Sequence, residues 1–132
     1  MSAHSWIEIS RSAITRNVQT LRQVVGDQVL LAPCVKANAY GHGLVPTSQA
    51  LVAAGANWLS VHCAQEAQRL RAAGVTVPIL ILGPLLDEEL PLLPSLQVRL
   101  MVSDLDRLPA LDASLHGQPA QLPIHLKVDT GM

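Results

Sequence analysis

The segment Val35-Lys36-Ala37-Asn38-Ala39-Tyr40-Gly41-His42-Gly43 brings a primary amine, a phenol and an imidazole into one short stretch. A lysine can form a Schiff base with a carbonyl compound once burial or a neighbouring charge lets its amine lose a proton. Tyr40 offers a hydroxyl that can donate to a phosphate. Gly41 and Gly43 permit backbone conformations closed to other residues and let a ligand approach the chain closely. By residue type alone each has a plainer reading. A lysine at a strand end is most often a solvated charge, a lone tyrosine beside glycine a packing residue, and a histidine between glycines a turn residue. Lys127, followed by Asp129 and Thr130, forms a second polar group far along the chain. Its plainer reading is a strand-end charge, with Asp129 and Thr130 shaping the loop. Cys34 and Cys63 are too few for a disulfide scaffold and fit no zinc spacing, so they are expected to be small buried hydrophobes, with no metal bound.

The elements that must position these groups follow one grammar. Trp6 to Ile9 reads as a short strand. Ser10 or Ser12 then caps a helix whose inward face is Ile14, Val18, Leu21 and Val25, stopped by Gly26. Val29 to Val35 is a strand with Lys36 at its carboxyl end. Pro46 opens a helix facing inward through Ala50, Leu51 and Ala54. Further strands are expected at Trp58–Val61, Pro78–Leu82, Val98–Val102 and Ile124–Val128. The helix Ala64–Ala73 turns Ala67 and Leu70 inward, a short helix lies around Asp87–Leu90, and another runs from a Ser103 cap through Leu111. Strands alternating with helices indicate βα units and a parallel sheet. Right-handed crossovers leave an open doubly wound sheet or a (β/α)8 barrel. No Gly-x-Gly-x-x-Gly follows the first strand, which disfavours the dinucleotide-binding version. A full barrel needs eight strands and about 250 residues. With roughly five strands in 132 residues, any barrel here is partial. On a barrel, Lys36, Gly83 and Lys127 share one rim.

Composition narrows the field. Hydrophobic residues make up 49% and charged residues 14%, with no Phe and a single Tyr. A core built from Leu, Val, Ile and Ala suits a parallel sheet covered by helices on both faces. The most apolar stretch, Val77 to Leu100, is interrupted by prolines and by Asp87-Glu88-Glu89, so it is no membrane span. The start has no basic region followed by an apolar one, which argues against a secretory signal. A net charge of −1 gives no reason to expect nucleic acid or an anionic membrane as partner. Two unpaired cysteines fit a cytoplasmic protein.

The string from Val35 to Gly43 resembles the cofactor-lysine signature of the alanine racemase family, pyridoxal-phosphate (PLP) enzymes of fold type III. The match is contiguous over nine residues. Decarboxylases for ornithine, arginine or diaminopimelate share a similar core but do not usually continue as Ala-Tyr-Gly-His-Gly. The resemblance runs on through Trp6–Ile9 with Asn17, Ala54–Val61, Glu66 to Gly74, Ile79–Gly83 and His125–Met132. It implies that residues 1–132 are the N-terminal part of the PLP-binding barrel, about its first five βα units. It implies that Lys36 holds PLP covalently and moves the α-proton on the D-alanine side. Tyr40 would hydrogen-bond the cofactor phosphate. Lys127 matches a lysine that is carbamylated in many relatives and orients an arginine. Gly83-Pro84-Leu85 would line the cofactor pocket. The implied reaction is interconversion of L- and D-alanine for peptidoglycan, in a homodimer. Alternatives are a PLP racemase of another substrate, such as serine or lysine, a PLP-binding barrel without catalysis, or a structural domain in which Lys36 is incidental.

The chain departs from the family pattern at its end. The family's arginine two positions beyond Met132, its last three barrel strands and its C-terminal β-domain have no counterpart here. That domain supplies the second catalytic base, a tyrosine donated across the dimer. Tyr40 cannot replace it, since its matched role is on the lysine side. The chain is therefore expected to be a truncated piece, inactive as a racemase by itself.

Overall fold

A computed structural model of the chain describes residues 5–117 and 121–131. Met132, the last residue of the matched C-terminal string, lies outside the described residues. Helix α1 (Arg11–Val25) begins where Ser10 Oγ accepts the Ala13 amide at 3.2 Å, so Ser10, not Ser12, is the cap. Next come a one-turn element α2 (Lys36–Tyr40) and helix α3 (Leu44–Ala53). Strand β1 (Leu59–Val61), helix α4 (Ala64–Ala72) and strand β2 (Ile79–Ile81) form the next unit. A 3-10 helix (Asp87–Leu92) runs into α5 (Leu93–Leu96) and strand β3 (Val98–Val102). A second 3-10 turn (Leu105–Arg107), helix α6 (Leu108–Ser114) and strand β4 (Ile124–Leu126) follow.

The four strands form one sheet in the order β1-β2-β3-β4, every neighbour parallel. Sequential order with crossovers of one hand places every connecting helix on the same side. Side-chain alternation agrees. Leu59, Val61, Ile79, Ile81, Val98, Leu100 and Val102 are buried in one cluster with Ala64, Ala67 and Leu70 of α4, Leu93 and Leu96 of α5 and Leu111 of α6. Of the alternate residues, Leu80, Arg99, Met101 and His125 are only half-buried, while the small Ser60 of β1 is buried. Helices therefore cover one face, not both as composition suggested. A doubly wound sheet reverses its strand order partway and has helices on both faces. Neither feature is present among the described residues.

The expected strand at Val29–Val35 is reduced to a single bridge, Cys34 with Ser60. Ser60 N donates to Pro33 O and Val35 N to Ser60 O at 2.9 and 2.8 Å. One step back, Trp58 N still donates to Leu31 O at 3.0 Å, but Pro33 has no N–H to return a bond, so the pairing there is one-sided and no longer strand is formed. Trp6–Ile9 forms no strand. Trp6 and Ile7 are about three-quarters exposed, and no described strand lies alongside to pair with them. On α1 only Val18 is fully buried, while Leu21 and Val25 are exposed. The turn after β3 is capped by Asp104, whose carboxylate accepts the Asp106 amide at 3.0 Å, rather than by Ser103. The helix beyond it continues past Leu111 to Ser114.

Candidate active site

The parallel register sets the carboxyl ends of the strands side by side. Val35 N bonds to Ser60 O, Gly83 N to His62 O at 3.0 Å, and Lys127 N to Val102 O at 2.8 Å. Lys36, Gly83 and Lys127 thus stand just beyond the ends of the Cys34 bridge segment, β2 and β4, on one rim as expected. In parallel α/β folds this is the end where ligands bind.

Past Lys36 the backbone reverses its hand. Ala37, Asn38, Ala39 and Tyr40 have φ of 50, 57, 54 and 53°, one full left-handed turn without a glycine. A left-handed residue costs about 1–2 kcal/mol when it is not glycine or asparagine. The turn is held by many bonds. Ala39 N donates to Val35 O at 2.8 Å, Gly43 N to Asn38 O at 2.9 Å, and His42 N to Ala39 O at 3.0 Å. The His42 Nδ1 also lies 2.8 Å from Ala39 O, and Asn38 Oδ1 accepts the Leu44 amide at 2.9 Å. Gly43, at φ 93°, lets the chain enter α3 beside Pro46, whose Cγ would lie 3.1 Å from an added Cβ. His42 thus acts as a turn residue.

The turn brings Tyr40 back toward the strand it left. Its hydroxyl donates to Cys34 Sγ at 3.5 Å, and the ring is 60% exposed. That hydrogen bond, then burial of the hydroxyl, then the field of Cys34 hold the phenol above its ordinary pKa. Tyr40 is therefore a neutral donor over the physiological range, held only by a weak sulfur acceptor. Cys34 is half-buried rather than a closed core residue, as is Cys63. Lys36 is half-buried, and its amine has no hydrogen-bond or ion-pair partner among the described residues. A primary amine and a phenol donor on one turn, with Gly41 open to space beside them, fit an aldehyde that also carries a phosphate. Lys36 and Tyr40 are the residues that could hold PLP.

Two carboxylates absent from the expectations organise the same rim. Glu66, in the first turn of α4, accepts Ala37 N on Oε1 at 2.7 Å and His62 N on Oε2 at 2.8 Å. Glu89 is buried and accepts Ala64 N at 2.8 Å and Leu86 N at 3.0 Å. The sequence signal was an acidic residue in the first turn after a strand, where helix N–H groups lack partners.

Lys127 is exposed and lies at the far edge of the sheet from Lys36. It lines a cavity of about 380 Å³ with Pro84, Leu85, Met101, Ser103 and Arg107. Lys36 and Tyr40 do not line that cavity. Gly83 packs under His62, where an added Cβ would sit 2.5 Å from the ring, so its lack of a side chain serves strand packing. Asp129 accepts the Gly131 amide at 3.0 Å and shapes the final loop.

The chain matches the family model described as alanine racemase, N-terminal domain, over residues 9–132. It is similar to the alanine racemase of Desulforamulus reducens, with 40% identity over 127 residues, 96% of this chain and 34% of that protein. Its structure is similar to that of an alanine racemase from E. faecalis, with a TM-score of 0.84 at 39% identity, covering 94% of this chain and 34% of the other. A histidine racemase from Leuconostoc mesenteroides is also similar, with a TM-score of 0.78 at 25% identity, covering 86% and 30%. The chain spans about a third of the length of the relatives it matches.

Proposed function

Because this chain belongs to the alanine racemase family, as part of its N-terminal (β/α)8 barrel domain, we propose that the whole protein is a PLP-dependent racemase interconverting L- and D-alanine. The observation that supports this reading is the left-handed turn that follows Lys36 at the carboxyl rim and carries Tyr40. Residues 1–132 supply the lysine side of the site in this reading, and the remainder of the barrel and a C-terminal domain supply the rest.

PLP, when bound, supplies the electron sink that makes the α-proton of an amino acid removable. Lys36 would hold the cofactor through its amine, and that amine would take or return a proton at the substrate Cα on its own face. Tyr40 donates to the phosphate, a charge-assisted bond stronger than its contact with Cys34. Gly41, with open space where a side chain would stand, would let a phosphate approach the backbone beside Tyr40. Racemisation needs proton transfer on both faces, so the opposite group comes from outside these residues, across a homodimer interface. Lys127 serves in carbamylated form to orient an arginine of the same site. Its exposed position on the shared rim leaves it open to carbon dioxide.

Alanine as substrate is supported by the names of the relatives, and D-alanine for peptidoglycan follows from that substrate. The likeness to a histidine racemase supports a second reading, in which the pocket admits another amino acid. Among the described residues no helix is long and apolar enough to cross a membrane. Two free thiols accord with a reducing, cytoplasmic setting.

The test is borohydride reduction of the full-length protein loaded with PLP, followed by peptide mapping and a coupled assay on alanine, histidine, serine and lysine. The expected result is a pyridoxyl group on Lys36 and fastest turnover of alanine. Cofactor mapped to Lys127 would overturn the assignment of both lysines. Faster turnover of histidine would replace the substrate.

A further inference from the structure

The amide that follows Lys36 is held by a residue outside its own segment. The Ala37 N–H lies in the peptide plane that starts at the Lys36 Cα, so a bond on that N–H fixes ψ of Lys36 and the direction in which its side chain leaves the strand. The acceptor is Glu66 Oε1, at 2.7 Å. The other oxygen of the same carboxylate accepts the amide of His62, the residue that follows β1, at 2.8 Å. One rigid, planar group thus ties the turn after Lys36 to the end of the neighbouring strand. Bonds from N–H to a charged carboxylate are the stronger kind. The platform beneath Glu66 is itself fixed, because buried Glu89 accepts the amide of Ala64, the first residue of α4.

The local backbone makes this clamp necessary. Four consecutive left-handed residues follow Lys36, and three of them are alanine or tyrosine, which do not favour that region. Ala37 is the first of the four, and its N–H has no backbone partner among the described bonds. Without Glu66 that N–H would lose its acceptor, and the peptide after Lys36 would be held only by the other bonds of the turn, of which Ala39 N to Val35 O alone spans it.

We propose that Glu66 is a positioning residue for Lys36, setting the lysine's angle of approach to the cofactor and to the substrate α-carbon without touching either. This rests on the reading of Lys36 as the cofactor lysine. A carboxamide cannot reproduce the clamp, since one of its two arms is itself a donor and would face an N–H.

The experiment uses full-length holoenzyme as wild type, Glu66→Gln and Glu66→Asp. Glu66→Gln should lower kcat by about ten- to a hundredfold with KM within about threefold, the pattern of a misdirected group rather than lost binding. The visible circular dichroism of the bound cofactor should change with it. Hydrogen exchange of the Ala37 amide should be slowed by about tenfold or more in wild type and be released in the variant. Should Glu66→Gln not fold, Glu66→Asp, which reaches only one amide, carries the same measurements. Wild type with no reducible cofactor on Lys36 would defeat the functional reading itself. Cofactor on Lys36 in both proteins, with unchanged kcat and dichroism in the folded variant, would defeat only the assignment of Glu66. So would a wild-type Ala37 amide that exchanges at its free rate.

Discussion

The two ends of the sheet are stapled by opposite charges. At the amino ends, Arg71 donates to Leu96 O at 2.9 Å, Val75 O at 2.7 Å, Val77 O at 2.9 Å and Gln97 O at 3.0 Å. Arg22 does the same for Gly26 O and Val29 O, and also donates to Asn57. At the carboxyl ends the staples are carboxylates accepting amides, Glu66, Glu89 and Asp104. The cause is the direction of the helices. In a βα unit the helix ends below the next strand, leaving carbonyls without partners, and begins above the last one, leaving N–H groups without partners. Guanidinium groups suit the first set and carboxylates the second. The carboxyl end also gathers the positive ends of the helix dipoles, which favours an anion such as a phosphate. Both ends are therefore stapled, and the carboxyl end, with its unpaired N–H groups and positive dipole ends, is the one where an anion-binding site can be built.

The sharpest break between the ends should come from Lys36→Ala in the full-length protein. With the only amine of the motif gone, borohydride should trap no pyridoxyl group in the turn, and turnover should fall by about a thousandfold or more. The melting temperature without cofactor should be nearly unchanged, because the amine has no partner to lose. Retained turnover would move the chemistry away from this rim.

Arg71→Met should do the reverse. It strands four carbonyls around a partly buried site, and stability should drop by about 2–4 kcal/mol. Burial lowers the pKa of Arg71, but a guanidinium so far above neutrality stays charged. Equilibrium denaturation should show the loss, while kcat per folded enzyme stays near wild type. A variant that is fully stable would mean that the carbonyls find water instead. One that is stable but slow would mean that the two ends are coupled.

How much of this division was legible in the sequence depends on the range of the interactions. The strand at Val98–Val102 was read to the residue, since alternation and its flanking turns are local. Trp6–Ile9 had strand composition but no neighbouring strand among the described residues, and a strand needs a neighbour to bond to. Pro33 was visible in the sequence, yet its effect depends on which strand lies beside it. Lys36 and Tyr40 were singled out by a contiguous string, and the glycines at 41 and 43 signalled an unusual backbone. The left-handed run at Ala37–Tyr40 was not, because alanine and tyrosine carry no preference for it. What holds it includes Glu66, 29 positions away from Ala37 in sequence. Arg71 was equally hidden, since its four acceptors lie in two segments brought together only by the fold.

Tyr40→Phe sharpens the comparison within the carboxyl end. The phenol should contribute to phosphate binding as a charge-assisted donor, so removing it should weaken PLP retention by about ten- to a hundredfold. Dialysis against apo-buffer with cofactor absorbance as readout measures this. Trapping at Lys36 should survive, unlike in Lys36→Ala. Unchanged retention would make Tyr40 a packing residue.

The smallest expected effect tests the contact that Tyr40 makes without a ligand. The phenol's pKa stands above the ordinary value near 10, chiefly because the neutral hydroxyl donates to Cys34, with burial and the field of Cys34 adding to it. The raised value means that the folded state favours the protonated phenol. Whatever this contributes to stability is present below the ordinary phenol pKa and is lost as pH rises through the raised one. At neutral pH nothing should change. Phenolate absorbance near 295 nm, taken as the difference between wild type and Tyr40→Phe without cofactor, should titrate later than a free tyrosine. Cys34→Ala should move that midpoint down toward the ordinary value, because it removes the acceptor and opens the site to water. An unshifted midpoint in Cys34→Ala would mean that the thiol does not hold the phenol. Tyr40 would then owe its place to the left-handed turn alone, and the carboxyl end would rest on its carboxylates without help from Cys34.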